Sequence, residues 1–197
     1  MQSLDTLTTT LCRMIENVRQ ASSDFDLNSN VVLPKDRVLK PAAVLVAVTQ
    51  DANLILTKRS AHLKNHPGQI AFAGGRMDDT DRDLAHTALR EAQEEIGLDP
   101  TSATILGELS FHETITNYMV TPVVAIVPSG LTFNAEPGEV DEVFTVPLAH
   151  VLNRDSYRIE GRYWQGSKRF YYTVPYGPYY IWGATARILH GLAEAAT

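Results

Sequence analysis

Arg82-Asp-Leu-Ala-His-Thr-Ala-Leu-Arg-Glu-Ala-Gln-Glu-Glu-Ile-Gly-Leu98 is the most strongly patterned stretch of this 197-residue chain. At 100° per residue, Ala85, Ala88, Leu89, Ala92 and Ile96 gather on one side of a helix. Asp83, Arg90, Glu91 and Glu94 fall on the other, with Glu95 at the border. Thr80 or Asp81 is suited to the N-cap, and Gly97 stands where a C′ glycine belongs, so a helix is predicted from about 82 to 96. Three alanines on the inner face predict close approach to a sheet. Glu91 reaches Glu94 and Glu95 at i+3 and i+4, bringing three carboxylates to one patch. Their mutual repulsion costs stability unless a cation sits among them, and hard divalent ions prefer such oxygens. An isolated Glu-x-x-Glu-Glu is ordinarily just a solvated acidic face. Here Arg90 can pair with Asp83, Asp81 or the glutamates, and Gly97 ends the helix directly after them.

Upstream of this segment, Ile70–Phe72 is a short apolar piece running into Gly74-Gly75, read as a flexible turn whose backbone carbonyl could reach the same cation. Residues 62–69 form a polar loop containing Pro67-Gly68. Two strands are predicted over 42–49 and 54–58, joined by the turn at 50–53. Leu4, Leu7, Leu11, Met14, Ile15 and Val18 recur at helical spacing, predicting a helix over about 4–19. Downstream, strands are expected over 104–111, 119–127 and 143–146. The segments 157–164 and 169–174 read as a hairpin about Gln165-Gly166-Ser167-Lys168. A last helix is expected over 183–195. No repeat or linker interrupts this pattern, and a single mixed α/β domain is expected over 1–197, with the helix at 4–19 as an extension.

Composition narrows the function. The charge is −6 and the apolar share 44%. The acidic balance argues against bulk nucleic-acid binding, which needs concentrated Lys and Arg. A small anionic substrate needs only a local basic patch or a metal ion. No run approaches the roughly 18 apolar residues of a membrane span, and no basic-then-apolar leader is visible. Cys12 is the one cysteine, which rules out an internal disulfide; a cytoplasmic location is the simplest expectation.

The string from Gly75 to Arg90-Glu91-Ala92-Gln93-Glu94-Glu95-Ile96-Gly97-Leu98 resembles the Nudix box over about 75–98. Its core, Arg-Glu-(apolar)-x-Glu-Glu-x-Gly-(apolar), is matched throughout. The upstream half has one extra residue and carries Asp78, Asp81 and Asp83 in place of the usual glutamate. Ile55-Leu56-Thr57-Lys58-Arg59-Ser60, then Lys64, Gly68 and Phe72-Ala73-Gly74-Gly75, is similar to the signature of the coenzyme A pyrophosphatase-like branch. Ile55, Lys64 and Ala73 replace its Leu, Arg and Pro. Glu139-Val140, Val146-Pro147-Leu148 and Ile181–Ala186 also resemble this branch.

The resemblance implies a Nudix α/β/α sandwich with a mixed sheet, and hydrolysis of a pyrophosphate bond in a nucleoside diphosphate derivative with Mg²⁺ or Mn²⁺. It implies Glu91 and Glu95 as main metal ligands, Glu94 as a further ligand or water-mediated partner, and the Gly74 carbonyl as a backbone ligand. Arg90 is expected to hold the constellation together, and Glu94 or Glu139 to act as general base. Lys58, Arg59 and Lys64, with Gly75, are expected at the substrate; ordinary surface charge is the competing reading. His62 and His66 read as surface residues. Aromatic residues fill the last third, among them Tyr157, Tyr163, Trp164, Tyr171, Tyr172, Tyr176, Tyr179 and Tyr180; hairpin packing is their first reading and stacking on an adenine the second. Coenzyme A is the favoured substrate. ADP-ribose, a dinucleotide or a nucleoside triphosphate is the alternative, and a non-catalytic nucleotide-binding domain stands as a different class. The N-terminal helix could cap the core or join two subunits in a homodimer.

Overall fold

A computed structural model describes residues 3–31, 33–34, 36–164 and 166–196. Gln165, expected in the hairpin turn, lies outside the described residues, as does the side chain of Trp164.

The chain opens with helix α1 (Leu4–Asn17), N-capped by Ser3, whose side chain accepts from the Thr6 N–H. Short strand β1 (Ser22–Ser23) follows, then β2 (Lys40–Thr49), β3 (Asn53–Arg59), β4 (Ile70–Ala71) and β5 (Ala73–Arg76). Helix α2 (Leu84–Ile96) leads to β6 (Thr104–Glu108), β7 (His112–Glu113), β8 (Tyr118–Val127) and β9 (Val140–Pro147). A short α3 (Leu148–Leu152), the hairpin of β10 (Arg158–Trp164) and β11 (Ser167–Thr173), and α4 (Gly183–Ala195) complete it. The predicted elements are all present. The two-residue strands β1 and β7 and the single-turn α3 are too short to show a periodicity.

The main sheet is mixed. Its spine is the parallel pair β2–β8, in register from Lys40↔Tyr118 to Thr49↔Val127. Near the end of β2, Val48 pairs with Leu54 of β3. Along the same edge, Ala42 to Leu45 pair instead with Arg76 to Ala73 of β5. Strand β3 diverges to pair with β9 and β4, so β5 fills the edge that β3 leaves. The Gly74-Gly75 pair is therefore held in a strand and not in a flexible turn as the sequence had suggested. A Cβ on Gly74 would stand 2.4 Å from the Ala43 carbonyl oxygen, which is why the strands meet here without a side chain between them.

Each face of the sheet carries its own core. Leu7, Leu11, Met14, Leu54, Leu56, Phe72, Val146, Ile181 and Leu189 form one with α1 and α4. Ala43, Ala47, Ala73, Ala88, Ala92, Ala125 and Ile96 contribute to the other, under α2. The element order is thus helix layer, mixed sheet, helix layer, as expected.

Candidate functional site

Helix α2 begins two residues later than the sequence suggested. Its N-cap is Asp83, whose Oδ1 accepts the His86 N–H at 2.7 Å. Asp81 is thereby free for another task. Its carboxylate, fully enclosed, accepts Arg90 Nε on Oδ1 and Nη2 on Oδ2, both at 2.9 Å. The Asp78 N–H and the Thr87 hydroxyl also donate to Oδ2, at 2.9 and 3.0 Å, and His86 Nδ1 lies 2.9 Å from Oδ1. The Arg90 guanidinium, then these further hydrogen bonds, hold the Asp81 carboxyl well below the usual carboxylate range. From this anchor Arg90 Nη1 donates to Glu91 Oε1 and to Glu94 Oε2, each at 3.0 Å, and Nη2 to the Arg76 carbonyl at 3.2 Å. A bidentate guanidinium so held fixes one end of the acidic cluster.

The three glutamates then part company. Glu94 turns outward, 59% exposed in its side chain. Glu91 lies against β5: a Cβ on Gly75 would fall 2.5 Å from its carboxyl carbon. Glu95 is only 4% exposed, deeper than the border position its wheel angle suggested. Its Oε2 accepts the Gly74 N–H at 3.1 Å, and Arg59 Nη1 lies 3.8 Å from Oε1. Burial drives the Glu95 carboxyl up to about 7, with the Gly74 N–H and Arg59 pulling the other way and the charges of Glu91 and Glu139 adding to the rise. Burial also raises Glu91, against the opposing pull of Arg90.

Glu139 therefore belongs to this neighbourhood, although its side chain is exposed. The loop that brings it there is fastened to the end of α2. The Asn134 N–H donates to the Ile96 carbonyl at 3.0 Å and the Glu136 N–H to the Glu95 carbonyl at 2.9 Å. Gly97 makes this possible: its φ is 68°, and a Cβ there would come within 3.1 Å of Asn134 Cβ. The Ser60 N–H donates to the Glu139 carbonyl at 2.8 Å, tying in the end of β3 as well.

The basic residues are divided. Arg59 reaches Glu95. Strand alternation puts Lys58 with Leu54 and Leu56 on the opposite face, while Lys64, His62 and His66 are exposed on the 60–69 loop. The aromatic residues mostly pack on the α4 face: Tyr179 stacks on Phe144 with centroids 3.6 Å apart, Tyr172 on His190, and Tyr171 edge-on to Trp182. Tyr163 projects into solvent.

Among the described residues, no group of three or more acidic, His or Cys side chains is drawn together closely enough to chelate an ion as it stands. The donor chemistry nevertheless fits a hard divalent ion. Two carboxylates, one of them buried and facing a single guanidinium at 3.8 Å, leave uncompensated acidity beside the two glycines of β5. Sequence reasoning found Asp81 only as a cap or one of several partners for Arg90. Its contacts with residues five, six and nine positions away follow from the tight 78–81 turn, which helical periodicity does not describe.

A helix bearing Arg-Glu-x-x-Glu-Glu, laid on a glycine strand of a mixed sheet between helix layers, defines a hydrolase class that cleaves phosphoanhydride bonds and generally needs divalent metal ions. The family model of the NUDIX domain matches residues 39–165, well over half of the chain, and the chain belongs to the Nudix hydrolase family. It is 41% identical over 156 residues to the uncharacterized Nudix hydrolase NudL of Escherichia fergusonii, covering 78% of this chain and 81% of that protein. The corresponding NudL of Escherichia coli O7:K1 is 40% identical over the same coverage. Among solved structures, the MutT protein of Methanosarcina mazei Go1 is similar at a TM-score of 0.48 and 20% identity, over 60% of this chain and 84% of that one.

Proposed function

We propose that this chain hydrolyses the diphosphate of coenzyme A or an acyl-coenzyme A, giving 3′,5′-ADP and (acyl-)4′-phosphopantetheine. The observation that carries the site is the convergence of Glu91 and Glu95 on Gly74-Gly75, with Glu139 close enough to perturb both. Support for the substrate comes from the signature Ile55 to Gly75, from Arg59 beside Glu95 and from Lys64 on the exposed 60–69 loop; Lys58, on the other face, takes no part in it. In this reading Glu91, Glu95 and the Gly74 carbonyl hold Mg²⁺ or Mn²⁺, with Glu94 as an outer ligand. The bound ion would neutralise phosphate charge and acidify a bound water.

The chain's own residues do the rest. Asp81 fixes Arg90, and Arg90 fixes Glu91. Arg59 and the N–H of Gly74 orient Glu95. Gly75 leaves the space that a side chain would fill to the Glu91 carboxylate. Glu139, on a loop fastened to both β3 and α2, takes the proton from the attacking water; Glu94, already engaged by Arg90 and facing solvent, is the second candidate for that role. Such a base contributes about 10²–10⁴-fold.

The test is a substrate panel of coenzyme A, acetyl-coenzyme A, NADH, ADP-ribose and nucleoside triphosphates with Mg²⁺ or Mn²⁺, products being separated by chromatography. Fastest release of 3′,5′-ADP from coenzyme A, abolished in Glu95→Gln, is the expected result. Preferential cleavage of ADP-ribose or a dinucleotide would keep the site and overturn the substrate. Tight nucleotide binding without turnover would instead make this a binding domain.

A further inference from the structure

On the other side of the sheet from the glutamates, β1 and β7 run parallel with Ser22 opposite His112. Ser22 Oγ lies 2.9 Å from His112 Nδ1, and His112 Nε2 lies 3.1 Å from Asp24 Oδ1. A carboxylate only accepts, so Nε2 carries a proton, and in the neutral imidazole Nδ1 accepts from the serine hydroxyl. Asp24 is itself held, its Oδ2 accepting the Ile115 N–H at 2.9 Å. The imidazole is fully buried, so this tautomer and orientation are shielded from water. A nucleophile in reach of a base, with the base aligned by a third group, is the arrangement that activates a serine.

The serine also has somewhere to bind a substrate. It lines a cavity of about 490 Å³ between the end of α1 and the outer part of α4, with Val18, Leu109 and Ile188 as apolar walls and Arg19 and Arg187 at its polar side. That volume is within the range of small-ligand sites. The N–H groups of Gln20 and Ala21, just before the serine and on the same cavity wall, take no hydrogen-bond partner among the described residues.

We infer that Ser22, His112 and Asp24 form a second hydrolytic site, which cleaves short-chain carboxylic esters by acyl transfer to Ser22. In the first step Ser22 Oγ bonds to the ester carbonyl carbon and its proton passes to His112 Nδ1. The carbon–oxygen bond to the alcohol then breaks, and the alcohol leaves with that proton. Water repeats the sequence on the acyl-serine, releasing the carboxylic acid and restoring the hydroxyl. This inference is independent of the pyrophosphate reading, because none of its residues touches the glutamate cluster.

The experiment uses the full chain and a fluorophosphonate, which exchanges its fluoride for an activated serine oxygen. Intact-mass and peptide-mapping spectra should show one phosphonyl group on Ser22, with p-nitrophenyl acetate hydrolysed in parallel. Ser22→Ala should abolish both, and Asp24→Asn should slow labelling about 10²-fold. Ser102→Ala, between α2 and β6 and outside the cavity, should label normally. Thermal melting verifies that each variant is folded. Absence of an adduct on folded wild-type protein, an adduct mapped elsewhere, or undiminished labelling of Ser22→Ala would overturn the inference and leave the three residues as a strap joining β1 to β7.

Discussion

The two faces of the sheet are built to opposite specifications. Under α1 and α4 the core is made of large side chains, Leu7, Leu11, Met14, Leu54, Leu56 and Leu189 among them. Each such residue contributes about 1.5–3 kcal/mol on burial. Under α2 the corresponding positions are largely alanines, with Ala88 and Ala92 fully buried. Alanine adds little to stability, but it lets the α2 backbone come down on the sheet until Glu91 and Glu95 rest on Gly75 and Gly74. The thick face stabilises the fold, and the thin face places charge where charge is costly.

Substitutions on the two faces should therefore fail in different ways. Glu95→Gln is expected to have the largest effect, abolishing turnover with Mg²⁺ without lowering the melting temperature of the metal-free protein at neutral pH. The Glu95 carboxyl rises from an ordinary 4.5 to about 7. Its contribution to stability is thus complete below about pH 4.5 and lost as pH rises through about 7. Metal-free wild type should lose stability over that window and the Gln variant should not; equal pH profiles would show that Glu95 is not held in a desolvated site. Leu189→Ala, on the thick face, should cost about 2–5 kcal/mol in denaturant unfolding while folded protein keeps its kcat. Ala92→Leu should cost only about 1–3 kcal/mol yet reduce kcat, because the helix must lift from β5. An unchanged kcat there would remove the distinction between the faces.

Smaller effects sharpen the comparison. Asp81 has the opposite sign to Glu95. Its depressed carboxyl stabilises the protein above the ordinary value of 3.8, and that stability is lost as pH falls further. Asp81→Asn should flatten the acid limb of the stability curve below about pH 4, measured by urea titration at stepped pH. Tyr157 donates its hydroxyl to the Val151 carbonyl at 2.6 Å within the thick face. Tyr157→Phe should cost about 1 kcal/mol and leave kcat unchanged.

Most of the architecture is legible in the residues. The α2 helix announces itself by its wheel and by Gly97, and α1 by its apolar spacing. The strands β2 and β8 are evident as apolar runs. What the sequence conceals is set by tertiary approach. Gly74-Gly75 reads as a turn because two glycines ordinarily mark one, and only the closeness of Ala43 and Glu91 explains them as a strand. Glu95 reads as a border residue because a wheel has no depth, and its burial depends on β5 lying across it. Lys58 and Arg59 look like one basic patch, yet strand alternation sends them to opposite faces. The Ser22–His112–Asp24 contacts span about ninety residues of sequence separation, which no local pattern encodes.

The hydrogen bonds from Asn134 and Glu136 to the last carbonyls of α2 have a dynamic consequence. Those two amides belong to a loop by sequence and to a helix by bonding, so the helix end cannot fray without releasing the loop. Their exchange with deuterated solvent should match in rate that of the final turn of α2, and it should slow when a divalent ion ties Glu95 in place. A pair of loop amides thus reports, by isotope uptake alone, whether the helix end and the Glu139 loop open as one unit.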